Sequence, residues 1–200
     1  MLLLWRGLDG FGAEACELDL QDDRLRARGT QLGADPVAYR LDYELETARG
    51  FATARLRAES RGGGWRRRLE LCRDADGLWS FDAESDGEVE LPPIGADLEG
   101  FGEAVDCDLG RSPVTNTLPV LRAGLLEPGA APRDFVMAWV SVPDLAVHRS
   151  EQRYEPVSSG AGGHIVRYVG RHRDFVGELR FDRQGVVLHY PELAELVGRS

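Results

Sequence analysis

Tyr39-Arg40-Leu41-Asp42-Tyr43-Glu44-Leu45-Glu46 alternates apolar and charged residues without a break. Successive side chains of a strand point to opposite faces, so this stretch buries Tyr39, Leu41, Tyr43 and Leu45 and leaves Arg40, Asp42, Glu44 and Glu46 in water. The same habit continues on both sides. Upstream, residues 18–29 read as a hairpin turning at Asp22 and Asp23, with Leu25 and Ala27 on one face and Arg24, Arg26 and Arg28 on the other. Downstream, Ala52, Ala54, Leu56 and Ala58 are expected to share a face opposite Thr53, Arg55 and Arg57, up to Arg61-Gly62-Gly63-Gly64. The next strand begins at Trp65.

Three segments share a strand, acidic turn, strand layout: Leu18 through Asp23 to Leu25, Leu71 through Asp74 and Gly77 to Trp79, and Phe181 through Asp182 and Gly185 to Leu188. Their uneven spacing marks a recurrent device and not a repeat. Residues 90–126 lose the alternation and carry Pro92, Pro93, Gly95, Gly100, Gly102, Gly110, Pro113 and Pro119, the composition of a long ordered connection, a kind of loop that is usually functional. Residues 135–142 are apolar on both faces and predict a strand covered on both sides, at the deepest part of the core. Residues 158–163 read as a flexible loop, 165–169 and 175–190 as the last strands, and 191–197 as a short helical turn; no other segment has helical periodicity. The expected fold is one mainly β domain spanning residues 1–200, an antiparallel curved sheet with little helix.

Twenty-four basic residues face 34 acidic ones, a net charge of -10, so the mean field repels phosphate backbones and anionic surfaces and no nucleic-acid partner is expected. Every basic residue is Arg, which removes Schiff-base and P-loop lysines from consideration. No stretch approaches the ~18 uncharged residues of a membrane helix. The apolar opening, residues 1–5, is too short for a secretory h-region, so a cytoplasmic location is expected. Cys16, Cys72 and Cys107 lack C-x-x-C spacing and are expected to be reduced thiols. His148, His164, His172 and His189 are scattered, and no metal or cofactor is called for by any motif.

The densest polar cluster is Asp106-Cys107-Asp108-Leu109-Gly110-Arg111-Ser112-Pro113-Val114-Thr115-Asn116-Thr117-Leu118-Pro119. Such short hydrogen-bonding side chains either cap their own backbone or line a ligand. Asp106 and Asp108 also form a weak candidate acid and base pair. Cys107, between two carboxylates, is opposed to thiolate use. Trp5, Trp65, Trp79, Trp139, Tyr39, Tyr43 and Tyr190 stand on strands, as core or as the walls of a cavity. In a cavity, inward arginines would meet a polar head group, with Arg55, Arg57, Arg111 and Arg167 as the positions to examine.

Residues 106–119 resemble the signature of a bacterial family of about 200-residue proteins described as putative glycolipid-binding. Tyr39-Arg40-Leu41-Asp42-Tyr43 is similar to that family's early Y-x-L-D-[WY] strand, Ala138-Trp139-Val140-Ser141-Val142-Pro143 to its apolar strand, and Asp182-x-x-Gly185 with Tyr190-Pro191 to its ending. The chain departs at Arg111, where the family pattern has an aromatic or apolar residue. The resemblance implies a spiral β-roll similar to the lipoprotein-localisation factors LolA and LolB, and it implies glycolipid binding by likeness of fold.

The leading expectation is a non-catalytic binding protein that holds a glycolipid or long-chain acid in an apolar concavity. Tyr39, Tyr43, Trp79 and Trp139 would bound the apolar part, and Asp108, Arg111 and Asn116 would meet the head group. Two other classes stay open: an enzyme acting on a carbohydrate or lipid derivative through Asp106 and Asp108, and a structural or partner-binding module.

Overall fold

The alternating stretch forms strand β4 (Tyr39–Thr47), with Tyr39, Leu41, Tyr43 and Leu45 all buried. The computed structural model to which it belongs describes residues 1–160, 162–171 and 174–200; His172 lies outside the described residues. Around β4 runs an antiparallel meander of β1 (Leu2–Gly7), β2 (Gly12–Leu20), β3 (Leu25–Gly33), β4, β5 (Thr53–Gly62), β6 (Trp65–Arg73) and β7 (Trp79–Gly87). A long connection carries β8 (Gly95–Ala96), β9 (Asp106–Leu109) and helix α1 (Thr117–Arg122). A second meander follows: β10 (Arg133–Val140), β11 (Ala146–Gly160), β12 (Gly163–Gly170), β13 (Phe175–Phe181), β14 (Val187–Tyr190) and β15 (Ala194–Arg199). Because β1 pairs antiparallel with β15, the two meanders fuse into one curved 15-stranded sheet. Two pairings are parallel, β9 with β10 and β8 with β11.

The turns show how the sequence sets the register. Asp74 Oδ1 accepts from the backbone N–H groups of Asp76 and Leu78, and Asp182 Oδ1 accepts from those of Gln184 and Val186. In each turn the glycine three residues after the aspartate, Gly77 or Gly185, takes a positive φ and donates to the aspartate's carbonyl. The shared layout is therefore one hydrogen-bonding solution used twice. Between β3 and β4, Gly29 faces Tyr43, and a Cβ on Gly29 would fall 2.4 Å from the tyrosine ring. Gly29→Ala is expected to cost about 1–3 kcal/mol by overpacking. Thermal unfolding checks it, and an unchanged Tm would show that the ring has room to move.

Three expectations are corrected. A bulge lets Thr47 pair with Thr53 while Glu46 pairs with Arg55, so the face switches at Ala54 and Thr53 is buried in place of Ala52 and Ala54. Thr53 then anchors the connection: its N–H donates to the Val105 carbonyl and its hydroxyl accepts from the Cys107 N–H. The helix lies at Thr117–Arg122 and not at 191–197, where residues 191–193 form a turn and 194–197 belong to β15. Residues 117–120 are buried on every side, so no polar face betrays their period, and Pro119 falls in the first turn, where its missing N–H is not needed. Residues 158–160 and 163 belong to β11 and β12.

The connection fills the concave side of the roll. Every residue from 106 to 120 except Arg111 is buried. Leu109, Val114 and Leu118 pack into the core beneath the first meander, and Val120 and Leu125 join Tyr154, Tyr168, Phe181 and Tyr190 beneath the second. Met137, Ala138 and Val140 are fully buried on both faces of β10, as its sequence predicts, whereas Phe135 and Val136 are only half-buried. Among the described residues no helix is long and apolar enough to cross a membrane.

Candidate functional site

β9 pairs only with the second half of β10, so residues 133–136 keep a free edge. Beside that edge lies a half-open recess of about 880 Å³. Two of its lining side chains, Arg122 and Gln152, are anchored by buried aspartates of residues 106–119. Asp106 is fully buried and accepts a two-point bond from Arg122 at the end of α1, with Nη2 to Oδ2 at 2.6 Å and Nε to Oδ1 at 3.1 Å. Burial pushes the Asp106 carboxyl up, and the bond and charge of Arg122 oppose that rise. Arg122 also lies over the Phe135 ring, 5.2 Å from its centroid.

Asp108, on the same face of β9, is held differently. Thr115 Oγ1 donates to its Oδ1 at 2.9 Å and Gln152 Nε2 to its Oδ2 at 2.6 Å. Tyr154 donates to Gln152 Oε1, and Asn116 Nδ2 donates to the Tyr154 hydroxyl. Each of these side chains is buried, so the chain of bonds fixes the orientation of Gln152, which faces the recess. The polar loop thus satisfies much of its own demand, and Gln152 borders the recess with both ends of its amide committed inward.

The recess walls carry planar charged groups. Arg149 pairs with Glu151 at 2.6 Å, and Arg171 pairs with Asp134 at 3.1 Å and Glu151 at 3.5 Å. Arg133 is exposed at the rim. Phe135, Val136, Val105 and Ala123 supply an apolar strip beside them. Alternating guanidinium, carboxylate and amide groups next to an aromatic ring can bond adjacent hydroxyls while an apolar face lies on the strip.

The residues singled out in the sequence fall in three places. Asp106, Asp108 and Asn116 belong to the buried network behind the recess and do not line it. Arg111 and Tyr39 meet at a second, small slot with Glu14 and Gln31, roofed by Arg111 paired to Asp9 at 3.2 Å. Tyr43 donates to Glu14 Oε1 at 2.5 Å, beside Ser112 Oγ at 2.8 Å. Burial raises the Glu14 carboxyl to about 7, against the hydrogen bonds of Tyr43 and Ser112 and the weaker pull of the neighbouring Gln31 amide. Trp79 donates to the Ala104 carbonyl and braces the connection, and Trp139 stacks 5.5 Å from His148. Cys107 is driven up to about 12, by burial first and by Asp106 and Asp108 after it. All three cysteines are free thiols.

Arginine placement is the main surprise. Arg57 and Arg167 are exposed and Arg55 is half-buried, whereas the inward guanidiniums are Arg122 and Arg67, the latter donating to the Pro92 and Asp144 carbonyls. Gln152, Tyr154, Arg122, Phe135 and Glu14 were not singled out in the sequence. For Gln152 and Tyr154 a signal existed: Ser150, Gln152 and Tyr154 alternate with Arg149, Glu151 and Arg153, a polar inward face that only a buried network explains.

Among curated proteins none matches the chain. Among solved structures it is similar to a DUF1089 family protein from Pseudomonas aeruginosa, at 26% identity over 96% of this chain and 94% of that one, with a TM-score of 0.65. Residues 2–195 match the family described as "Putative glycolipid-binding". That match takes in the β4 strand, the Asp106–Asn116 network and the β13–β14 turn alike, and the chain belongs to this family.

Proposed function

We propose that the protein is a non-catalytic binding protein for a glycolipid-like amphiphile, whose sugar head sits in the recess at the free edge of β10. The observation that carries this reading is the lining itself: Arg133, Arg149, Arg171, Asp134 and Glu151 bring guanidiniums and carboxylates, groups that hydrogen-bond hydroxyls, around one recess, and Phe135 with Val136 offers an apolar strip beside them. Asp108 and Asn116 act through Gln152, holding its amide in one orientation. The family description supports the ligand class.

Calorimetric titration with a short-chain glucosyl diacylglycerol, beside octanoate alone, tests the proposal. The glycolipid is expected to bind more tightly than octanoate, and Arg133→Glu or Arg149→Glu to weaken it about tenfold with Tm unchanged, because both arginines sit at the exposed rim. Absence of heat from the glycolipid, binding of octanoate as tight as that of the glycolipid, or equal binding by the variants would overturn the assignment.

A further inference from the structure

The small slot between β1, β2 and β3 is chemically separate from the recess. Glu14 on β2 and Gln31 on β3 are direct cross-strand partners, 4% and 2% exposed. One end of each side chain is committed: Glu14 Oε1 accepts from Tyr43 and Ser112, and Gln31 Nε2 donates to the Gly110 carbonyl. The other ends, Glu14 Oε2 and Gln31 Oε1, are buried and accept no hydrogen bond from any described residue. Turning the Gln31 amide over would aim its oxygen at the Gly110 carbonyl, so its orientation is fixed. Two buried acceptors therefore line one slot, and buried acceptors normally find a donor.

We propose that this slot binds the primary ammonium group of a small molecule, which donates to Glu14 Oε2 and Gln31 Oε1. While Glu14 is ionised, both open positions of the floor are acceptors, which an ammonium with three donors and no acceptor matches; when Glu14 is protonated its own O–H takes the place of one of those donors, so cation and proton compete for the slot. The slot holds about 30 Å³, room for one non-hydrogen atom. Trp5 and Tyr39 form aromatic walls suited to a cation. At the mouth, Arg111 pairs with Asp9 and Asp35, and Arg6 with Glu195, so three carboxylates outnumber two guanidiniums before Glu14 is counted. Arg111 has a φ of 62°, unusual for a residue with a side chain, and its partly exposed guanidinium is the group that must swing aside.

The groups facing Glu14 are Cys16 on its own strand, Tyr39 and Tyr43 on β4, and Arg111 with Asp9 and Asp35 at the mouth. Burial holds Cys16 and Tyr39 at about 12 and Tyr43 well above its usual value, so none of these three ionises near neutrality alongside Glu14.

The test follows the Glu14 carboxyl by carbon NMR, and the backbone amides of Ala13 and Leu32, during titration with methylammonium chloride, with potassium chloride and methanol as controls. Saturation in the millimolar range is expected, as for a ligand of two heavy atoms, with the Glu14 midpoint falling by about one pH unit or more. Glu14→Gln and Gln31→Met are each expected to abolish saturation at the amides. A response equal to that of potassium chloride, or equal saturation by methanol, would overturn the proposal, the second by making the slot a water or hydroxyl site.

Discussion

Arg122→Met is expected to destabilise the protein by about 3–5 kcal/mol at pH 7, the penalty for leaving a buried carboxylate without its partner. Asp106 is fully buried, and its guanidinium partner makes both contacts. With Arg122 removed, the burial that raises the Asp106 carboxyl is opposed only by the weaker charge of Arg73, and the side chain takes up a proton on folding. The sign follows: a raised folded value means stability fully present below the unfolded value and lost as pH rises through the folded one, so the variant recovers relative to wild type on acidification. Urea unfolding at several pH values measures this. The double variant Asp106→Leu with Arg122→Met is expected to regain most of the loss, since an apolar pair of similar volume leaves no charge unpaired. If the single and double variants are equally unstable, packing of the Arg122 stem on Phe135 and not the ion pair holds the end of α1.

The same residues show what sequence can and cannot reveal. Strands with one wet face were legible because burial imposes a period of two on residues such as those of β4, and the aspartate turns were legible because their bonds are local. The connection was not. Residues 106–120 are almost wholly buried, so neither a strand nor a helix there leaves an amphipathic trace, and their partners lie far along the chain: Asp108 with Gln152, Asn116 with Tyr154, Thr117 with the Gly185 carbonyl. The motif's polar character marked a segment that the fold buries and hydrogen-bonds densely. Which polar groups would turn inward to each other and which outward to the recess depends on β11, and a reading of the motif alone has no access to that. The inward arginines were missed for a related reason: alternation places Arg55 and Arg57 by strand register, but Arg67 and Arg122 are drawn inward by carbonyls and a carboxylate on the connection.

Glu14 gives the second large effect. In the unfolded chain its carboxyl ionises near 4.5, and in the fold it holds its proton to about 7. Between those values the unfolded chain releases a proton that the folded chain keeps, so folding stability falls as pH rises. At about 1.4 kcal/mol per pH unit the span is worth about 3 kcal/mol, reached once the pH passes the folded midpoint. Glu14→Gln removes the titration while keeping a carbonyl for Tyr43 and Ser112, and its amide can donate to Gln31 Oε1. Wild type and variant are therefore expected to be similar near pH 4.5, with the variant more stable by about 3 kcal/mol near pH 8. Other carboxylates change both proteins alike and cancel in the difference. Parallel stability curves across that window would show that Glu14 ionises in the fold as it does in water, and that the slot does not exclude solvent. A difference that closes when methylammonium is added, and closes only in the wild type, would tie the burden to the ligand: a buried carboxylate kept next to a second unfilled acceptor weakens the free protein at neutral pH, and a bound cation that neutralises it restores what burial removes.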